Sequence, residues 1–212
     1  MSAIENETRK EKRQEPLRPE PVTGKLGIWL FIFSEILMFG ALFLAYAVYL
    51  YLYKIDFLLA SRHLHRPIGA INTVILLTSS LAVALAIHAL SGGRRQLCLR
   101  LIEATLACAA LFLLIKGYEW HEKFQQGIYP AAKQLEVLPK GAVVFYGLYF
   151  TMTGLHALHV LVGGVVFGIV YRRVRRGLTT PERPSWLEHA GLYWHFVDIV
   201  WIYLFPLFYL IH

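Results

Sequence analysis

Apolar residues in this chain fall into five long blocks, roughly residues 26–53, 68–90, 97–118, 141–171 and 190–211, each bounded by charges or by glycine and proline. Each block reaches the ~20 residues that carry an α-helix across a bilayer. A soluble core helix shows polar residues on one face at every turn, and a transmembrane β-strand alternates apolar and polar positions over about ten residues. Most of these blocks show neither pattern. They predict an all-α fold: a polytopic bundle of five transmembrane helices within a domain spanning residues 24–212.

Residues 1–23 are of a different material, rich in Glu, Lys, Arg and Pro and without an apolar run. Such a stretch reads as a disordered charged tail. It has no hydrophobic h-region, so the first span itself is expected to act as an uncleaved insertion signal. The longest loops, about 14 residues at Lys54–Pro67 and about 22 at Glu119–Lys140, are too short to fold as catalytic domains. No long internal repeat is evident, which argues against transporters built from paired halves. Chemistry therefore belongs within the helices or in a partner.

Composition agrees: 57% of residues are apolar and only 17% charged, against about 25% charged in ordinary globular domains. Charge also sets an orientation. With five spans, the N-terminal tail and the loops near Gly92 and Arg176 share one side, which carries 14 Lys and Arg residues against 7 on the other. The positive-inside rule then places the N-terminus in the cytoplasm and the C-terminus in the periplasm. These basic anchors against anionic lipid account for a pI near 9.5. No nucleic-acid recognition element lies outside the membrane. Cys98 and Cys108 stand ten residues apart on one span, about 15 Å by helical rise and beyond disulfide reach, so helix packing is their expected role.

Ionisable groups inside spans are costly and each asks for a reason. Glu35 lies about nine residues into the first span, about 13 Å from its cytoplasmic end. Its neighbours at three and four residues are Phe31, Ile32, Met38 and Phe39. Desolvation there favours the neutral, protonatable acid, so both a helix-locking hydrogen bond and a proton-related role are open. His156 and His159 on the fourth span, and His195 and Asp198 on the fifth, repeat a three-residue spacing. Paired histidines can bind metal or haem, but no ligand set of matching depth accompanies them. A polar interhelical network of Asn72, His88, Glu103, His156, His159, His195 and Asp198 is the expectation, and no metal is assigned. Gly164 and Gly168 form a GxxxG step suited to helix packing. Thr73, Thr78, Ser79 and Ser80 give the second span polar handles. Lys116, Glu119, Glu122 and Lys123 have the spacing of ion pairs at the outer surface, and Trp194 and Trp201 read as ring anchors or lipid contacts.

Several segments, in order, resemble one family. The first span with its Phe31-Ile32-Phe33-Ser34-Glu35 core resembles the third helix of cytochrome c oxidase subunit III. Ile71-Asn72-Thr73 resembles that family's Leu-Asn-Thr, Tyr118-Glu119-Trp120-His121-Glu122 its Glu-Tyr-x-Glu, and Gly127-Ile128-Tyr129 its Gly-Ile-Tyr. Residues 153–160, TGLHALHV, resemble its TGxHGLHV, and residues 193–201, YWHFVDIVW, its YWHFVDVVW. The resemblance covers almost everything after the tail, and the tail stands where longer members carry two further helices. It implies a non-catalytic subunit of a bacterial haem-copper respiratory oxidase in the inner (plasma) membrane. Such a subunit binds no cofactor of its own, with haem and copper in partner subunits I and II, and it contacts membrane lipid and no nucleic acid. It also implies that Glu35 falls on the family's membrane-buried carboxylate, associated with proton uptake. An accessory subunit of a quinol oxidase or nitric oxide reductase is the alternative within the family. From other classes, a membrane cytochrome b ligated by His88, His156, His159 or His195 and a proton transporter working through Glu35 stay open.

Overall fold

The computed structural model describes residues 22–129, 138–181 and 185–211. Most of the charged tail, Lys133 and Arg183 lie outside the described residues. Six helices follow in order: α1 (Val22–Leu52), α2 (Lys54–Ser61), α3 (Arg66–Ser91), α4 (Arg95–Gln125), α5 (Lys140–Arg175) and α6 (Ser185–Tyr209). All but α2 are long and apolar enough to span a membrane. In hydrocarbon every backbone polar group must bond internally, so runs of this length fold as helices. The third and fourth spans run past their expected ends, to Gln125 and Arg175, and in α4 the added turns bury Glu119 and Lys123.

Three helix ends share one device. Gly93, Gly127 and Gly177 take φ near +70°, and paired bonds such as Gly127 N to Phe124 O (3.0 Å) and Ile128 N to Lys123 O (3.0 Å) close the last turn.

α2 occupies residues expected to be loop. The chain breaks at Tyr53 (φ −125°, ψ 42°) and refolds so that Phe57 is buried against Tyr46 and Phe145. Asp56 then accepts a hydrogen bond from the Gly141 amide (3.1 Å), capping the start of α5, where no cap bond comes from Pro139. A Cβ on Gly141 would lie 2.5 Å from Asp56 and Tyr53 atoms, so only glycine allows this approach.

α6 is the most enclosed spanning helix and α1 the least. The α3–α6 seam is pinned by side-chain bonds: Trp201 Nε1 to Thr73 Oγ1 (3.0 Å), Trp194 Nε1 to Ser79 Oγ (2.9 Å), and Ser80 Oγ with His195 Nδ1 (2.6 Å). Thr73, Ser79 and Ser80 are thus the polar handles their spacing suggested, whereas Trp194 and Trp201 are not lipid-facing anchors. Both indoles are fully buried because each N–H finds a hydroxyl on α3.

The GxxxG expectation also needs correction. Ideal Cβ atoms on Gly164 and Gly168 meet nothing within 4 Å, so no helix among the described residues approaches them. The close approach falls one residue earlier. A Cβ on Gly163 would sit 2.6 Å from the Trp194 ring. The one-residue offset turns the glycine about 100° around the helix, from a free face to the α6 contact.

Candidate functional site

Polar side chains gather in three places inside the bundle. The first joins α1 to α5. His159 Nδ1 lies 2.7 Å from the Leu155 carbonyl, one turn back along α5. A carbonyl only accepts, so Nδ1 carries the proton and donates. His159 Nε2 lies 3.0 Å from Glu35 Oε2, and the two side chains are only 13% and 15% exposed. One proton then occupies the Nε2–Oε2 contact, either as imidazolium against carboxylate or as imidazole accepting from a carboxylic acid. Tyr193 on α6 fixes the histidine from behind: its hydroxyl donates to the His159 carbonyl (2.9 Å) and its ring stacks on the imidazole at 6.4 Å. Phe39 packs edge-on at 5.4 Å. Glu35 is therefore not isolated among apolar neighbours, as its own helix implied. Its partner comes from α5, 124 positions along the chain.

The second gathering is a closed cage in the half of the bundle away from the basic loops. Lys116 Nζ donates to Glu119 Oε2 (3.0 Å), Tyr149 Oη (3.0 Å) and Tyr209 Oη (2.6 Å). Both tyrosines in turn donate to Glu119 Oε1, Tyr149 at 3.0 Å and Tyr209 at 2.7 Å. The ammonium uses all three of its protons and the carboxylate takes three donors, so the pair is satisfied without solvent. Lys116 is 1% and Glu119 0% exposed. These residues do form the i, i+3 pair their spacing predicts, but inside the bundle and not at its outer surface, because α5 and α6 supply tyrosines on their facing sides. Lys123 is likewise buried and donates to the His63 carbonyl (2.6 Å), while Glu122 turns outward to His65 (3.1 Å). Spacing along the chain singles out neither Tyr149 nor Tyr209, and Tyr193 enters only within the YWHFVDIVW segment. Their signal was present as tyrosines within spans, where a hydroxyl in apolar surroundings needs a partner.

The third gathering is at mid-span, where α3 meets α6. Ser80 Oγ contacts His195 Nδ1 at 2.6 Å. Asp198 is 2% exposed, and its oxygens have no protein partner at full hydrogen-bond geometry among the described residues. Asn72 and His156 are equally buried and equally unpartnered. Glu103 bridges α4 to α5 by accepting from the Tyr171 hydroxyl (2.6 Å). The expected network is thus several separate contacts. His159, His195 and Glu103 bond across helices; Asn72, His156 and Asp198 are enclosed, and His88 stands exposed.

His156, His159 and His195 do not fit a haem. His156 is shut between Phe112 and Trp201, ring centroids 5.4 and 5.0 Å away. His159 spends both nitrogens on Leu155 and Glu35, and His195 faces Ser80. Among the described residues no three His, Cys, Asp or Glu side chains converge as a metal set.

Comparison with known proteins gives a consistent result. The family model described as cytochrome c oxidase subunit III matches residues 21–212. Cytochrome c oxidase subunit 3 of Thermostichus vulcanus is 31% identical over 196 residues, covering 88% of this chain and 86% of that protein. Cytochrome bo(3) ubiquinol oxidase subunit 3 of Pseudomonas putida is 27% identical over 195 residues, with 88% and 84% covered. Probable cytochrome c oxidase subunit 3 of Rickettsia felis is 32% identical over 145 residues, 66% of this chain but only 46% of that longer protein.

Proposed function

The chain belongs to the cytochrome c oxidase subunit III family, and from that premise we propose that it is the non-catalytic subunit III of a bacterial haem-copper respiratory oxidase. It packs on subunit I beside subunit II in the inner membrane, N-terminus in the cytoplasm, and supports proton uptake and turnover stability during oxygen reduction. Haem and copper belong to the partner subunits. The supporting observation is the 3.0 Å contact between Glu35 and His159, a carboxyl and an imidazole paired in a span otherwise apolar around Glu35. A charged or protonatable group in a span is costly to keep, and a helix lock alone needs no titratable pair. Quinol oxidase and cytochrome c oxidase subunits match over similar extents, so the reading names the enzyme class and not the electron donor.

Glu35→Gln and Glu35→Ala separate the roles. Gln keeps a donor for His159 Nε2 but cannot exchange a proton, whereas Ala removes the contact. The assembled oxidase carrying Glu35→Gln is expected to keep this subunit while its proton uptake slows or its working lifetime shortens. Wild-type uptake and lifetime from Gln, with subunit loss from Ala, would reduce the pair to a structural lock.

A further inference from the structure

Six polar atoms inside the bundle have no protein partner among the described residues: the amide oxygen and nitrogen of Asn72, both ring nitrogens of His156 and both carboxyl oxygens of Asp198. The three residues are 0%, 0% and 2% exposed, so bulk solvent reaches none of them. We propose that these groups enclose a small cluster of internal water, held beside the Trp201 indole as a fixed part of the structure. This inference is independent of the oxidase reading.

Trp201 brings the three residues to one place. Its ring lies 5.0 Å from the His156 ring, and its Nε1 donates to Thr73, the residue after Asn72. Asp198 stands three residues before it on α6, one turn away. Asn72 is bracketed from its other end too. Gly69, one turn earlier on the buried face of α3, meets the Phe205 and Tyr209 rings of α6. Each of the three polar residues thus comes from a different span, α3, α5 or α6. α4 closes the remaining side with Phe112, whose ring is 5.4 Å from His156 and 4.9 Å from Trp201.

The chemistry of the six atoms selects the occupant. Leaving a buried polar atom without a bond costs more than making that bond gains, so interiors do not keep such groups bare. Asn72 Nδ2 only donates, Asn72 Oδ1 only accepts, and a neutral imidazole does one of each. The occupant must therefore both donate and accept. An apolar molecule does neither. A metal ion cannot serve the amide N–H, and among the described residues no three His, Cys, Asp or Glu converge. Water does both, and a buried water makes about three bonds to groups of this kind.

Water-edited solid-state NMR on the full chain in lipid bilayers, with 15N-labelled histidine and tryptophan, reads the cluster directly. Magnetisation from water should reach the His156 ring as early as it reaches His65, which is 46% exposed. Loss of the signal in His156→Phe assigns it. Trp194 Nε1, equally enclosed but bonded to Ser79, should be reached much later. Asn72→Leu should abolish the early transfer to His156, and Asn72→Ser, which keeps a hydroxyl for the water, should preserve it. In denaturant titration, Asn72→Leu and His156→Phe should be coupled by about five-fold in the unfolding equilibrium constant, although no bond joins the two side chains. Transfer to His156 as late as to Trp194 would overturn the proposal, and this wild-type contrast decides even if Asn72→Leu does not fold. Early transfer undiminished by Asn72→Leu, or strictly additive variants, would overturn the shared cluster as well.

Discussion

Removing either charge of the Lys116–Glu119 cage should destabilise the bundle far more than removing both. The two groups are 1% and 0% exposed, so Lys116→Met strands a carboxylate and Glu119→Leu strands an ammonium where water cannot reach. Breaking a buried pair this way costs about 3–5 kcal/mol. Two tyrosine hydroxyls still serve whichever charge remains, and the ammonium keeps ring faces at 4.7 and 5.2 Å, which places each single change near the lower end, about 3 kcal/mol. The double variant removes both charges and leaves two hydroxyls facing an apolar gap, at a cost below about 2 kcal/mol. The singles would thus sum to about 6 kcal/mol against about 2 for the double, a coupling well beyond the ~0.6 kcal/mol of an ordinary interhelical hydrogen bond in a membrane. Denaturant titration of the purified chain in mild detergent reads this directly. Tryptophan fluorescence is the signal, since the Trp201 ring lies 5.3 Å from the Lys116 ammonium. Single variants below about 1 kcal/mol, or an additive double, would refute the reading of the cage as a dry, mutually dependent unit.

Adjacent glycines should behave oppositely. Gly163→Ala drives a methyl into the Trp194 ring 2.6 Å away and should cost about 1–3 kcal/mol, while Gly164→Ala, with open space, should stay within about 0.5 kcal/mol; the same titration measures both. Asp56→Ala should cost about 1 kcal/mol by uncapping α5, seen as faster amide exchange near Gly141, and unchanged exchange there would remove the cap. Reporter fusions after Gly92 and Arg176 should read cytoplasmic and fusions after Arg62 external; one reversed reading would overturn the orientation. Glu35 should react with a hydrophobic carbodiimide and not with a water-soluble one, and equal labelling by both would show the pair to be open to water.

The spans were legible because the bilayer imposes one requirement, about 20 apolar residues per crossing, and all five appear with ends displaced by at most a few turns. One contact along a helix was legible too, Lys116 to Glu119, whereas the i, i+4 pair of Glu119 with Lys123 gives way to a bond from Lys123 to the His63 carbonyl. Contacts between helices were not. Glu35 looks solitary on α1 because His159 arrives from α5, and the cage looks like a surface pair because Tyr149 and Tyr209 come from other spans. Helix phase was equally hidden. Gly163 and Gly164 are neighbours in sequence, yet one meets a tryptophan and the other open space. The α2 helix was missed because Phe57 is buried against Tyr46 and Phe145 from other elements, which no local pattern announces.

Membership of an oxidase is tested most directly by what this chain carries with it from the membrane. A tagged copy at native expression, purified in mild detergent, should bring down a larger subunit bearing haem. The absorption spectrum should show that haem at a fixed ratio to the tagged chain, and His156→Phe should leave the ratio unchanged. Recovery of this chain alone, stable, monodisperse and free of any haem-bearing partner, would contradict the account.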